Sequence, residues 1–233
     1  MGRSRTAVGL QVRLASSRLP EKALLTLGGK TVVEHAMSRL ARVPVDEYWV
    51  LTDPESLPAL RGPAEACGFS IYAGDPRDVL KRYCHCAREQ GWETIIRATG
   101  DNPLVSWELA RDALALREER DADYAGYTGS PLGTGVEVVR TAALEAVLSF
   151  SRDPYDHEHV TPGIYRNPER FCVALEPVVN ELLLPDASVT LDTMEDYQFL
   201  TGVFEELSAR NQDADTATVS EVVRILRGQQ RRG

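Results

Sequence analysis

The sequence predicts an α/β fold on a largely parallel sheet, and three observations carry that reading. Short apolar runs alternate with stretches of helical apolar spacing from Ala7 to about Tyr127, as repeated βαβ units require. The 233 residues, 43% hydrophobic and 26% charged, suffice for one domain with a sizeable core. Polar and charged clusters follow directly on the apolar runs, at the strand ends where open α/β sheets bind ligands.

Taken in order, Ala7-Val8-Gly9-Leu10 reads as a buried first strand, and a polar loop runs from Gln11 to Lys22. Thr31 caps a helix whose Val32, Val33, Ala36, Met37 and Leu40 share a face. Glu47 to Leu51 is a second strand, followed by a turn at Thr52-Asp53-Pro54 and a helix to about Cys67. Phe69 to Tyr72 is a third strand, and a helix through Val79, Leu80 and Tyr83 follows the turn Gly74 to Asp78. A strand from Thr94 ends in Gly100-Asp101, and Pro103 turns the chain toward a helix near Trp107. Beyond Tyr127 the alternation becomes irregular around Gly129, Pro131, Gly133 and Gly135, with a short strand Val136 to Val139 and a helix from Thr141. Val189 and Leu191 alternate as a last strand, and Thr193 with Asp196 forms a capping box for a helix through Leu207. Val219 to Gly233 reads as a short helix and a basic tail.

Charge and composition exclude several functions. The net charge is −9, the wrong sign for general nucleic-acid binding, so a local cluster of cations fits a small anion better. No apolar run reaches transmembrane length, and the start shows no long apolar signal region. The four cysteines, Cys67, Cys84, Cys86 and Cys172, suggest no disulfide framework, and a cytoplasmic location without membrane insertion is expected. Cys84, His85 and Cys86 point in different directions from one helix and do not converge on a metal.

Three clusters carry chemistry. The first loop holds Arg13, Arg18 and Lys22 with Ser16 and Ser17, where guanidinium forks, a point charge and free backbone N–H groups suit a polyphosphate. Asp101 is displayed at the same sheet edge, a hard oxygen ligand for Mg²⁺ opposite those cations, although a lone Asp there also serves as a turn former. Asp192 precedes a helix, where the residue alone reads as a cap. His157-Glu158-His159 lacks the spacing of a helical zinc site and reads as polar substrate contact. Asp121-Ala122-Asp123 matches the metal motif of many nucleotide-sugar glycosyltransferases, or caps a helix and opens a strand.

The order of these residues resembles the cytidylyltransferase family, most nearly its spore-coat polysaccharide biosynthesis protein F branch. CMP-KDO and CMP-sialic acid synthetases are more distant relatives. Gln11-x-Arg13-x-x-Ser16-Ser17-Arg18-Leu19-Pro20-x-Lys22, Gly74 to Tyr83 and Arg97-x-x-Gly100-Asp101-x-Pro103-Leu104 follow the family's pattern. So do Glu137, Glu158-His159-x-Thr161 and Asp192-Thr193-x-Glu195-Asp196. The chain departs at Glu21, where the family has Gly, and at Gly135, His157 and Met194, where it has Asp, Arg and Pro.

The resemblance implies a three-layer sandwich with a mostly parallel Rossmann-like sheet and a small dimerising insertion at about 127–185. It implies CMP transfer from CTP to a sugar acid, sugar phosphate or related small acceptor, with release of pyrophosphate, by a homodimer. Gln11, Arg13, Ser16, Ser17, Arg18, Lys22, Arg97, Thr99 and Gly100 would bind the nucleotide. Asp101 and Asp192 would hold Mg²⁺, and Glu137, Glu158, His159 and Thr161 would meet the acceptor. Arg13, Lys22, Asp101 and Asp192 would be the catalytic set. Two other classes fit parts of the sequence: a nucleotide-sugar glycosyltransferase using Asp121 and Asp123, and a non-catalytic nucleotide-binding homologue marked by Glu21, Gly135 and Met194.

Overall fold

A computed structural model describes residues 5–230. The expected features of residues 1–4 and 231–233 lie outside these. The elements run β1 (Thr6–Gln11), β2 (Thr26–Leu27), β3 (Lys30–Thr31), α1 (Val32–Leu40), β4 (Glu47–Thr52), α2 (Leu57–Ala66) and β5 (Ser70–Ala73). Next come α3 (Val79–Gln90), β6 (Thr94–Thr99), α4 (Trp107–Glu119), β7 (Tyr124–Thr128), β8 (Glu137–Arg140) and α5 (Thr141–Phe150). The chain closes with α6 (Pro154–His159), α7 (Pro162–Tyr165), β9 (Val173–Pro177), α8 (Met194–Ala209) and α9 (Val219–Gln230).

The main sheet has seven strands in the order β5-β4-β1-β6-β8-β7-β9, while β2 and β3 form a separate hairpin. Only β8 runs against its neighbours, pairing antiparallel with both β6 and β7, so the sheet is mostly parallel as expected. Successive strand residues face opposite layers, the period of two in action. Val8, Val50, Ile96 and Val138 pack with α1, α2 and α4, whereas Ala7, Leu51, Ile95 and Val139 pack with α3 and α5. A third apolar cluster joins α8 and α9 to Leu27, Val32 and Val189 beside the α1 layer. Among the described residues, no helix is long and apolar enough to cross a membrane.

Two local devices shape β1 and the loops that follow β1 and β6. Gly9 lets Tyr83 lie against β1: a Cβ there would meet the Tyr83 ring at 2.7 Å, and the Tyr83 hydroxyl donates to the Gly9 carbonyl at 2.7 Å. Gly100 lets the β6 loop close on Val12, whose side chain any Cβ would strike, while the Gly100 N–H donates to the Gln11 carbonyl at 2.9 Å.

The segment expected as a last strand is not one. Ser188 forms a single bridge with Leu132, the Val189 N–H donates to the Leu132 carbonyl at 2.8 Å, and the Leu191 N–H donates to the Asp101 carbonyl at 2.9 Å. Its backbone bonds are divided between two loops, so it stays extended without joining a ladder. The third strand is displaced by one residue from its expected position, and Cys84 and Cys86 are both buried helix-packing residues.

Candidate active site

The first loop leaves β1 at its C-terminal end and is pinned by neighbours of ordinary chemistry. The Leu14 N–H donates to the Ser56 hydroxyl at 2.9 Å, and that hydroxyl donates to Asp53 at 3.0 Å. The Glu21 N–H returns to the Leu14 carbonyl at 3.2 Å, which closes the loop. Glu21 takes φ 54° and ψ 23°, a left-handed conformation, and its side chain is exposed. A glycine would take this conformation without the penalty of a Cβ.

Lys22 follows directly, and its ammonium lies 2.7 Å from Asp101 Oδ2 and 2.6 Å from Asp192 Oδ1. Its side chain is only 13% exposed. Arg18 reaches the same Asp192 oxygen at 3.1 Å, and Arg13 pairs with Glu158 at 3.1 Å. All three loop cations thus rest on carboxylates. Burial works to raise the Asp192 carboxyl, but hydrogen bonds and charge from Lys22 and Arg18 outweigh it and hold it below the ordinary value.

The position of Asp192 is set by the capping box read from the sequence. The Asp196 carboxylate accepts the Asp192 N–H at 3.0 Å and the Thr193 N–H at 2.8 Å, and Thr193 accepts the Asp196 N–H at 3.2 Å. Asp101 and Asp192 come from loops 91 positions apart in sequence, joined through the Leu191–Asp101 backbone bond.

Beside this cluster lies a cavity of about 300 Å³ between the ends of β6, β7 and β8. Arg97, Thr99, Asn102, Tyr124, Ser130 and Glu137 contribute polar groups to it. Arg97 donates to Gln11 at 3.2 Å and pairs with Glu137. Glu137 also accepts the Tyr124 hydroxyl at 3.0 Å and the Thr161 hydroxyl at 2.6 Å. Burial disfavours the charge on Arg97, but Glu137 more than compensates and raises the guanidinium above its usual value. Thr161 is fully buried, so it braces Glu137 instead of facing the cavity. The Asn102 Oδ1 is buried without a partner while its amide donates to Thr99 at 2.7 Å.

The expected site residues therefore fall into three groups. Arg18, Lys22, Asp101 and Asp192 converge on one point. Gln11, Arg97, Thr99 and Glu137 meet around the cavity, with Thr161 behind them. Arg13, Glu158 and His159 lie along α6, where the His159 ring packs on Tyr155 at 4.2 Å. Ser16 accepts the Leu19 N–H at 3.4 Å and Ser17 is exposed. The sequence reading missed Asn102, Tyr124, Asp53 and Ser56; Asn102 stands next to Asp101, the one signal that could have found it.

Asp121 and Asp123 lie elsewhere. They precede β7 at the opposite edge of the sheet, where Arg140 pairs with Asp121 and stands 3.6 Å from Asp123. Asp123 also accepts the Cys172 N–H at 3.0 Å. A metal there would be remote from the loop cations, which removes the basis for the glycosyltransferase reading.

A mostly parallel sheet with a cationic loop and two carboxylates at its C-terminal edge defines the class of α/β nucleotidyltransferases. The family model for cytidylyltransferases matches residues 7–228, and the chain belongs to that family. It is 28% identical to the spore coat polysaccharide biosynthesis protein SpsF of Bacillus subtilis, over 93% of this chain and 92% of that one. It is 32% identical to the 3-deoxy-manno-octulosonate cytidylyltransferase of Thioalkalivibrio sulfidiphilus, over 63% of this chain and 62% of the relative. The fold matches a cytidylyltransferase structure from Leptospira borgpetersenii with a TM-score of 0.88 and 24% identity, covering 98% of this chain and 96% of that one.

Proposed function

We propose that this cytidylyltransferase transfers CMP from CTP to a sugar acid or related small acceptor, releasing pyrophosphate, in the synthesis of a cell-surface glycan precursor. The observation that carries the reading is the Lys22 ammonium between Asp101 and Asp192. That ammonium stands in for a positive charge between two carboxylates from different loops. Two hard oxygen donors around one cation match what Mg²⁺ takes from protein when substrate phosphates complete its shell. When bound, the metal would polarise a phosphoryl oxygen as a Lewis acid.

The chain's own residues do the rest by position and charge. Lys22, released from its carboxylates, and Arg18 and Arg13 meet the β- and γ-phosphates and stabilise the departing pyrophosphate. Ser16, Ser17 and Gly100 shape the loop around the nucleotide, while Gln11, Arg97 and Thr99 face it from the cavity. Glu158 and His159 approach the acceptor from α6, and Glu137, braced by Thr161, fixes Arg97. No side chain is needed as general base if the acceptor oxygen is ionised or metal-activated. The similarity to a 3-deoxy-manno-octulosonate cytidylyltransferase and to a spore coat polysaccharide biosynthesis protein supports the choice of acceptor class. We also infer a homodimer and a cytoplasmic location.

A pyrophosphate-release screen of the four NTPs against sugar acids and sugar phosphates with Mg²⁺ tests this reading. CTP should lead, and Asp101→Asn and Asp192→Asn should each lower kcat/KM about a hundredfold or more with unchanged circular dichroism. Near-normal turnover in either variant would remove that residue from the metal site.

A further inference from the structure

The six-residue helix α6 brings Glu158 to Arg13 and carries His159 next to it. A helix this short does not hold its place by its own backbone bonds. At its C-terminal end Val160 is fully buried with φ 75° and ψ −55°, and the Thr161 N–H donates to the His159 carbonyl at 2.9 Å. This is the rare, strained form of γ-turn, and a β-branched residue keeps it only where the surroundings over-determine it. α6 therefore needs an anchor to the body of the molecule.

His157 supplies one. Its Nδ1 lies 2.7 Å from Asp78 Oδ2, and its Nε2 lies 3.2 Å from the Ser151 carbonyl oxygen. A carboxylate and a carbonyl are acceptors only, so both contacts are hydrogen bonds only when the ring carries two protons. The other Asp78 oxygen accepts the Lys81 N–H at 2.8 Å and caps α3.

We propose that the His157 imidazolium and the Asp78 carboxylate form a proton-dependent latch. It holds α6 against α3 and makes His157 a positioning residue for Glu158 and His159. The inference rests on the reading of this edge as the active site. The Arg152 guanidinium donates to the same Ser151 carbonyl at 2.9 Å, and other charged groups around α6 have partners of their own. Lys81 pairs with Asp75 at 3.1 Å, Asp156 accepts the Ser151 hydroxyl at 2.6 Å, and Glu158 holds Arg13. From α7, the Arg166 guanidinium stacks over Tyr155 at 4.4 Å.

Burial by itself would lower the His157 pKa; the Asp78 hydrogen bond and the Ser151 carbonyl outweigh it and raise the value above 6.5. A raised histidine pKa stabilises the folded form fully below the unfolded value. That contribution is lost as pH rises through the folded one. The latch is therefore closed below the ordinary histidine value and opens as pH rises through the raised folded one.

Amide exchange of residues 155–160, corrected for intrinsic rates, tests the latch without any ligand. In the wild type, protection should fall about tenfold or more between about pH 6 and about pH 8.5. His157→Arg, a permanent cation, should keep protection at both values, and His157→Gln should lose it at both. Asp78→Asn, which can still cap α3, should return the His157 ring titration seen by NMR toward its ordinary value. Equal protection in His157→Gln and wild type at the lower pH overturns the proposal, as does a ring titration indifferent to Asp78→Asn. Calorimetric titration of Arg13→Ala with CTP and Mg²⁺ tests the underlying reading separately. Unaltered affinity there would remove the active-site role of this edge, and with it the positioning role of His157, whatever the exchange data show.

Discussion

Glu21 departs from the Gly that the family resemblance implies, and Pro20 before it leads the sequence reading to expect a carboxylate that points away from the loop cations. In the structure its side chain is exposed and the anomaly lies in its φ of 54°. A left-handed conformation costs a residue with a Cβ about 1–2 kcal/mol, part of which glycine gives back through its freedom in the unfolded chain. Glu21→Gly should therefore raise stability by about 0.5–1 kcal/mol in urea denaturation. CTP affinity should change less than about tenfold, because no carboxylate leaves the phosphate site. A large affinity gain without a stability gain would mean that the side chain, and not the backbone, is the constraint.

At the scale of elements, what was legible is what depends on neighbours in sequence. The apolar periods of β1 and α1, the Thr31 cap and the Thr193 capping box were all readable, because each is written within a few residues. The extended segment before Asp192 was misread as a strand, because alternation at Val189 and Leu191 says nothing of where backbone bonds go. The pairs Asp78–His157 and Arg13–Glu158 span 79 and 145 positions, and no local pattern announces them.

The Thr193 box links an element to chemistry, since it also fixes the Asp192 backbone. Thr193→Ala should cost about 1 kcal/mol of stability, the usual penalty for a lost N-cap, and Thr193→Ser should restore most of it. Pyrophosphate release should follow the same order. If Thr193→Ala lost stability alone, the cap would have no bearing on the site.

For the whole molecule, the sheet ends at β9, and exposed apolar side chains lie on and just after that strand. Leu175, Val179 and Leu183 are 44%, 64% and 44% exposed, and all fall within the expected insertion at about 127–185. An uncovered edge strand bearing apolar residues invites association. A second copy of the chain is the partner we infer. Light scattering should give a dimer at micromolar concentration, and Val179→Asp with Leu175→Lys should shift it to monomer. A wild-type monomer would contradict the inference.

Finally, the pairing of every loop cation with a carboxylate bears on how a turnover ends. Pyrophosphate, with its dense charge, would dwell long on three uncommitted cations. Here each cation has a partner within reach to which it returns. Under the proposed reading, Asp101, Asp192 and Glu158 would compete with pyrophosphate for these cations once the metal has left, which would shorten its residence and reset the loop for the next nucleotide.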